Sequence, residues 1–148
     1  MDHDAKKDFE EKRKFSEAYD FIRGISVLLG VTCLLFGFLT YIFGDALFGA
    51  GKASQYTRLL SVPWSPESWG TFAIACGVLI LVGSFRSNQL QIGSGCTLMG
   101  IWSFALAYLI VIDCIKYQTS YGALGALFFI FFGIAMLGRA RLGFNWRS

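Results

Sequence analysis

The sequence has little charge, little proline and a single histidine. Of its 148 residues, 16% are charged and 55% are hydrophobic, with only 2 prolines but 17 glycines. Soluble domains usually contain about 25% charged residues, so this chain has too few to cover a water-facing surface. With so little proline, the glycines cannot form a proline–glycine low-complexity tract. They must lie inside the apolar segments, where glycine usually has a packing role.

The residue patterns of known catalytic, cofactor and metal sites are missing as well. The four cysteines are scattered without a C-x-x-C pair, and the single histidine, His3, lies near the terminus. No nucleotide-binding loop, nucleophile elbow or zinc spacing is found. We therefore expect a non-enzymatic protein with no catalytic, cofactor-binding or metal-binding residue. We expect most of the cysteines to act as small buried hydrophobic residues, without a disulfide within the chain. A net charge of +3 is too small to imply nucleic-acid binding.

Four long runs without charge dominate the chain, at residues 25–43, 69–85, 92–112 and 121–137. A hydrocarbon core of about 30 Å needs roughly 17 to 25 helical residues to cross, and each run fits. Short connections at 86–91 and 113–120 favour antiparallel neighbours. The predicted fold is an all-α integral membrane protein, an up-down four-helix bundle.

Basic residues predict the orientation of this bundle. Ten of the thirteen lie in the N-terminal segment 1–24, the turn 86–91 and the tail 138–148, and three lie in the loop 44–68 and the turn 113–120. The positive-inside rule then places both termini in the cytoplasm, with the protein in the inner membrane. We expect 1–24 to form a charged amphipathic cytoplasmic helix, either simply solvated or binding a partner.

Aromatic and basic residues at the ends of the spans are predicted membrane-interface anchors: Trp64, Trp69, Trp146, Arg139 and Arg141. The second span also has a helix-start signature. Ser65 is placed to cap it, Pro66 suits the first helical position, and Glu67 complements the helix dipole.

Small residues recur every seven positions within the spans. A seven-residue repeat stays on one face of a helix that supercoils left-handedly, and small residues let membrane helices approach closely. Whether these faces meet within one chain or between subunits stays open at this point. The predicted packing positions are Gly30, Gly37 and Gly44, then Gly70, Gly77 and Ser84, then Gly93, Gly100 and Ala107, and finally Ala126 and Gly133.

No ionisable residue lies within the four uncharged runs. An intramembrane ionisable group would mark a proton or ion pathway, so a proton-coupled transporter is disfavoured. Asp113 follows the third run, and a helix-terminal or interface role is expected for it. Trp102 and Tyr108 are expected to pack against neighbouring helices; the alternative is a ligand cleft lined by them and the phenylalanines of residues 128–132.

The segment Pro66–Gly70, Pro-Glu-Ser-Trp-Gly, followed by an Ala/Gly/Leu/Val-rich span, resembles small four-helix membrane proteins of actinobacterial phages and prophages. Some proteins of this kind are holin-like, and others act in superinfection exclusion. The resemblance implies a four-span layout and assigns no functional residue.

The leading functional hypothesis is a non-enzymatic four-pass protein that self-associates or binds a membrane partner, with a holin-like or exclusion role if it is phage-encoded. The alternatives are an accessory or scaffold subunit of a larger membrane complex, and a small transporter or channel. The expected partners are the lipid bilayer, a second copy of the chain or another membrane protein, and neither nucleic acid nor a metal.

Overall fold

A computed structural model describes residues 3–47, 63–118 and 122–145. These residues form four α-helices and, within the described ranges, no strand: α1 (His3–Leu47), α2 (Glu67–Phe85), α3 (Gln89–Tyr117) and α4 (Ala123–Asn145). The predicted all-α class is confirmed. Each helix contains a segment long and apolar enough to cross a membrane: Ser16–Gly44, Glu67–Phe85, Gln89–Lys116 and Ala123–Gly143. The chain therefore has the helices of a multi-pass membrane protein.

The first helix is longer than any membrane span requires. The segments predicted as a cytoplasmic helix, 1–24, and a first span, 25–43, form one continuous helix in the described part, with a kink at Phe43. At 1.5 Å per residue, its 45 residues extend about 68 Å, roughly twice the thickness of a hydrocarbon core. A long N-terminal arm therefore projects beyond the bundle.

The start of α2 differs from the predicted capping. The helix begins at Glu67, and Pro66 occupies the N-cap position without a side-chain cap bond. Ser65 is therefore not the N-cap, and Pro66 is not the first helical residue. The pyrrolidine ring of Pro66 packs against Gly44 of α1, so this proline closes the end of the α1–α2 pair instead of starting a helical turn.

The turn between α2 and α3 is shorter than the predicted 86–91, because α3 already begins at Gln89. The Asn88 side chain accepts hydrogen bonds from the backbone N–H groups of Leu90 and Gln91, at 3.1 and 3.4 Å. Asparagine is among the best N-cap residues, since its side-chain oxygen satisfies N–H groups that the first turn leaves unpaired.

The helices pack in chain order, α1 on α2, α2 on α3 and α3 on α4. An aromatic cluster around Trp102 of α3 joins all four helices. The indole lies with ring centroids 5.4 to 6.3 Å from Phe36, Trp69, Phe72 and Phe129. Edge and stacked ring contacts of this kind add stabilisation beyond simple burial. Trp102 therefore contacts both α1 and α4, and so links the first helix to the last.

Three parts of the predicted topology lie outside the described residues. They are most of the loop 44–68, the end of the turn 113–120, and the end of the tail 138–148 with Trp146.

Candidate functional site

The glycines of α1 and α2 face each other within one chain. A Cβ atom on Gly77 would lie 2.9 Å from the carbonyl oxygen of Gly30, and one on Gly70 would lie 3.0 Å from that of Gly37. Real Cβ atoms are almost never found at such distances from backbone. The two backbones are thus in direct contact at two levels, and the Tyr41 hydroxyl bonds the Thr71 hydroxyl at 2.5 Å beside them.

The remaining α1–α2 stripe residues lie at the two ends of this pair. Gly44 packs against Pro66. Ser84 is buried, and its hydroxyl donates to the carbonyl oxygen of Ile80 at 2.8 Å. The small-residue faces of these two helices are therefore used inside the chain.

The stripe residues of α3 and α4 meet side chains more than backbone. A Cβ atom on Gly100 would lie 3.0 Å from the Leu137 side chain, and one on Gly133 would lie 3.0 Å from the Phe104 ring. Ala107 and Ala126 are both buried. Gly93 is buried as well, and its Cα would lie 3.6 Å from a Cβ on Gly143.

Two further glycines, which the seven-residue pattern misses, position α2 against α3. A Cβ atom on Gly83 would lie 2.9 Å from the backbone nitrogen of Ile92, and one on Gly95 would lie 2.8 Å from the Ile80 side chain. The helices α2 and α3 each pack against two neighbours, so a single stripe on each accounts for only one of its contacts. A search for a second small-residue face on α2 and α3 would have found both positions.

Arg139, predicted as an interface anchor, is buried between helices near the end of the bundle. Its side chain is 4% exposed. Its Nε donates to the Ser26 hydroxyl oxygen at 2.5 Å, and its Nη2 donates to the Gln89 side-chain oxygen at 3.1 Å. The Ser26 hydroxyl in turn donates to the Ile22 carbonyl oxygen. This cluster ties α4 to α1 and to the start of α3.

The other predicted anchors differ in exposure. Trp64 is 87% exposed, and Arg141 is exposed on the outer face of α4. Trp69 is half-buried, with its ring centroid 6.0 Å from that of Trp102. Trp69 is therefore part of the aromatic cluster at the bundle centre.

Asp113 is the second ionisable group inside the bundle. Its helix continues to Tyr117, so Asp113 is not helix-terminal, and its side chain is fully buried. Within the described part of the chain, neither carboxyl oxygen has a hydrogen-bond partner. The apolar helices extend beyond the uncharged runs, and Asp113 and Arg139 are the two described charged residues in these extensions that are buried between helices. The uncharged runs themselves contain no Asp, Glu, Lys, Arg or His.

An apolar crevice separates α1 from α4 over the middle of the bundle. Its floor consists of Met99, Phe36 and Phe129, and its rim includes Leu35 and Phe128, which are 58% and 54% exposed. The crevice has a volume of about 200 Å³, which is below the roughly 300–1,000 Å³ of typical small-molecule pockets. A shallow apolar depression of this size suits the side chains of a neighbouring helix.

The predicted ligand cleft around Trp102 and Tyr108 is not formed. Trp102 is buried among four aromatic rings, whereas Tyr108 is 65% exposed. The two side chains lie on different faces of α3, and Phe129 fills the space beside Trp102.

All four cysteines are free thiols; three are buried, and Cys114 is half-buried. Within the described ranges, no group of three or more His, Cys, Asp or Glu side chains could hold a metal ion.

Comparison with protein-family models, with curated proteins and with solved structures finds no match to this chain. The resemblance to phage and prophage membrane proteins therefore stays a prediction.

Proposed function

We propose that this chain is a non-enzymatic four-pass membrane protein that associates within the bilayer, either with a second copy of itself or with a helix of another membrane protein. The α1–α4 crevice carries the proposal. Because lipid removes most of the hydrophobic drive between helices, association depends on surfaces that fit closely. The small-residue faces are occupied within the chain, whereas the crevice between α1 and α4 is open to a neighbouring helix.

Site-directed crosslinking tests this proposal. Leu35→Cys places a thiol on the crevice rim, and Val78→Cys places one at a comparably exposed position on α2, away from the crevice. Cys114, the half-buried thiol, is first replaced by alanine in both variants. In the membrane-embedded protein, we expect a crosslink through residue 35 and none through residue 78. Equal crosslinking at both positions, or none at either, would contradict a specific crevice contact.

A holin-like or exclusion role is the finer form of the proposal, and it rests on the phage-like helix start alone. A holin permeabilises the membrane of the cell that makes it. Induced expression should then collapse the membrane potential, and Leu35→Trp should weaken the effect if association through the crevice is required. Unchanged membrane potential and growth on expression would remove the holin form and leave the association proposal standing.

A small transporter or channel is the second candidate, favoured by one observation. A buried carboxylate without a hydrogen-bond partner is costly unless it neutralises or binds something, and within membrane spans such groups often mark ion pathways. Proton or cation flux in liposomes, lost in Asp113→Asn and retained in Arg141→Gln, would support this candidate. No flux of protons, ions or small solutes from the wild-type protein would remove it.

A scaffold role is favoured by the N-terminal arm of α1. Described side chains between residues 10 and 21 are exposed except for Tyr19, and Phe21 is 70% exposed. The exposed, charged surface of this arm is available to a partner protein outside the bundle. Loss of co-purifying partners on Phe21→Ser, with partners retained in Ala18→Ser, would support the scaffold role. An unchanged partner set would count against it.

A further inference from the structure

A narrow cleft lies at the end of the bundle that carries both termini. It is bounded by α1, by the α2–α3 turn and by the last turns of α4. Its polar lining comes from six residues: Tyr19, Arg23, Ser84, Ser87, Gln89 and Arg139. Two of these are arginines, and none is acidic.

The charge inside this cleft is not balanced by the described protein. The Arg139 guanidinium has five N–H donors, and the two hydrogen bonds that it makes to described residues go to neutral oxygens of Ser26 and Gln89. Among the described residues, the one ion pair joins Arg13 and Glu17, which lie on the N-terminal arm. A buried charge is costly without an opposite charge. The cleft thus holds a largely buried cation and a second, exposed one with no carboxylate between them.

We infer that this cleft binds the phosphate group of an anionic ligand at the level of the membrane surface. Guanidinium groups bind phosphate oxygens in bidentate fashion, with charge-assisted hydrogen bonds. Basic pockets between membrane helices are suited to the headgroups of anionic lipids. Arg23 and Arg139 supply the charge, and the hydroxyl group of Ser87 supplies a neutral donor, because the Ser84 hydroxyl already donates to the Ile80 carbonyl oxygen.

The size of the cleft determines how the ligand enters. Its enclosed part measures about 10 Å³, which is room for about one water molecule. One phosphate oxygen fits between the arginines, and the rest of the phosphate group stays at the mouth. Arg23 is exposed, and the length of its side chain allows the guanidinium to close over the phosphate from outside. The same phosphate chemistry is offered by a lipid headgroup and by soluble phosphate.

Lipid retention by the purified full-length protein tests this inference. The protein in detergent is mixed with phosphatidylglycerol or with zwitterionic phosphatidylcholine, and bound lipid is counted by native mass spectrometry. Four variants lose the same charge: Arg23→Gln and Arg139→Gln within the cleft, and Arg86→Gln and Arg141→Gln at exposed positions outside it. We expect the cleft variants to bind phosphatidylglycerol about tenfold more weakly, which corresponds to one charge-assisted hydrogen bond. The outer variants should change binding less than about twofold.

A second arm separates the two sources of phosphate. Inorganic phosphate is added to the lipid-free protein, and its thermal stability is compared with that in sodium chloride of equal ionic strength. Stabilisation by phosphatidylglycerol alone identifies a lipid headgroup, and stabilisation by inorganic phosphate as well identifies a soluble phosphate site. Arg23→Gln tests the inference even if Arg139→Gln fails to fold, because Arg23 is exposed. Equal weakening in all four variants, or no preference for either phosphate source over its control, would overturn the inference.

Discussion

Two interfaces of α1 show opposite ways of holding membrane helices together. Against α2, glycine allows backbone to touch backbone at Gly30–Gly77 and Gly37–Gly70. Against α4, α1 is joined by the Ser26–Arg139 hydrogen bond and by the edge contact of Phe36 with Phe129, with ring centroids 5.5 Å apart. The first interface is continuous, whereas the second leaves an apolar crevice between its contacts. In this bundle, two helix backbones come into contact where both helices have small residues, and gaps remain where the contact is made by bulky aromatic residues.

Gly77→Leu should have the largest effect on stability, because it would force apart the closely packed α1–α2 interface. Its Cβ would meet the Gly30 carbonyl oxygen, which cannot move without moving α1. We expect a loss of about 3 kcal/mol of stability, at the upper end for overpacking. Thermal unfolding in detergent, together with spin-label distances between α1 and α2, measures it.

Two alanine variants, Gly77→Ala and Gly30→Ala, serve as the control for Gly77→Leu. Gly77→Ala meets backbone, whereas Gly30→Ala meets mainly the Leu81 side chain, whose nearest atom would lie at 2.9 Å and can rotate away. Gly77→Ala should therefore destabilise more than Gly30→Ala. The reverse order would contradict the backbone contact.

Ser26→Ala should weaken the α1–α4 interface. It removes the oxygen that accepts from Arg139 Nε and leaves a buried charged donor unsatisfied. The expected cost is about 2 kcal/mol, with a wider α1–α4 distance measured by spin labels. Thr32→Ala removes a hydroxyl that bonds only its own helix, at the Leu28 carbonyl, so it should leave that distance unchanged. An equal change in both variants would argue against the role of Ser26.

Leu39→Trp should fill the crevice and make the α1–α4 interface resemble the closely packed α1–α2 interface. Leu39 lines the crevice and is 44% exposed. New ring contacts with the phenylalanines of α4 should add about 0.5 to 1 kcal/mol of stability and reduce crosslinking at Leu35→Cys. Leu28→Trp, on α1 but outside the crevice, is the matched control. Undiminished crosslinking in Leu39→Trp would show that the neighbouring chain does not use the crevice.

Gly138→Ala should have the smallest effect. A Cβ at this position meets nothing within 4 Å, so only helix propensity acts, which favours alanine by about 0.5 to 1 kcal/mol. A slight rise in thermal stability is expected. A clear loss would mean that this face of α4 is covered in the membrane-embedded protein, and would place a partner there.

Much of the fold follows from patterns that act along a single helix. The four uncharged runs predict four helices, because a span must satisfy its backbone hydrogen bonds internally. The seven-residue recurrence predicts which face of α1 meets a neighbour, because Gly30 and Gly37 share one side of the helix. The length of α1 is harder to predict, because nothing in the charged segment 1–24 indicates whether its helix ends before the first span or continues into it.

The candidate site was less predictable, because it depends on which helix ends meet. Arg139 reads as an interface anchor in a basic tail, and its burial requires Ser26, more than a hundred residues earlier, to face it. Gly83 and Gly95 lie outside the seven-residue stripes, because α2 and α3 each have two neighbours and one stripe per helix describes the contact with only one of them. Asp113 reads as a helix end because the uncharged run stops there, whereas the helix itself continues.

The helical class, the number of apolar spans and the glycine faces follow from the amino-acid sequence, because each is set by local periodicity and by the cost of placing charge in lipid. The contact of the α1 and α2 faces within the chain, the burial of Arg139 against Ser26 and the crevice beside α4 are known only from the packing of the helices. Those features arise from the relative positions of different helices, and spacing along one helix carries no information about the helix across from it.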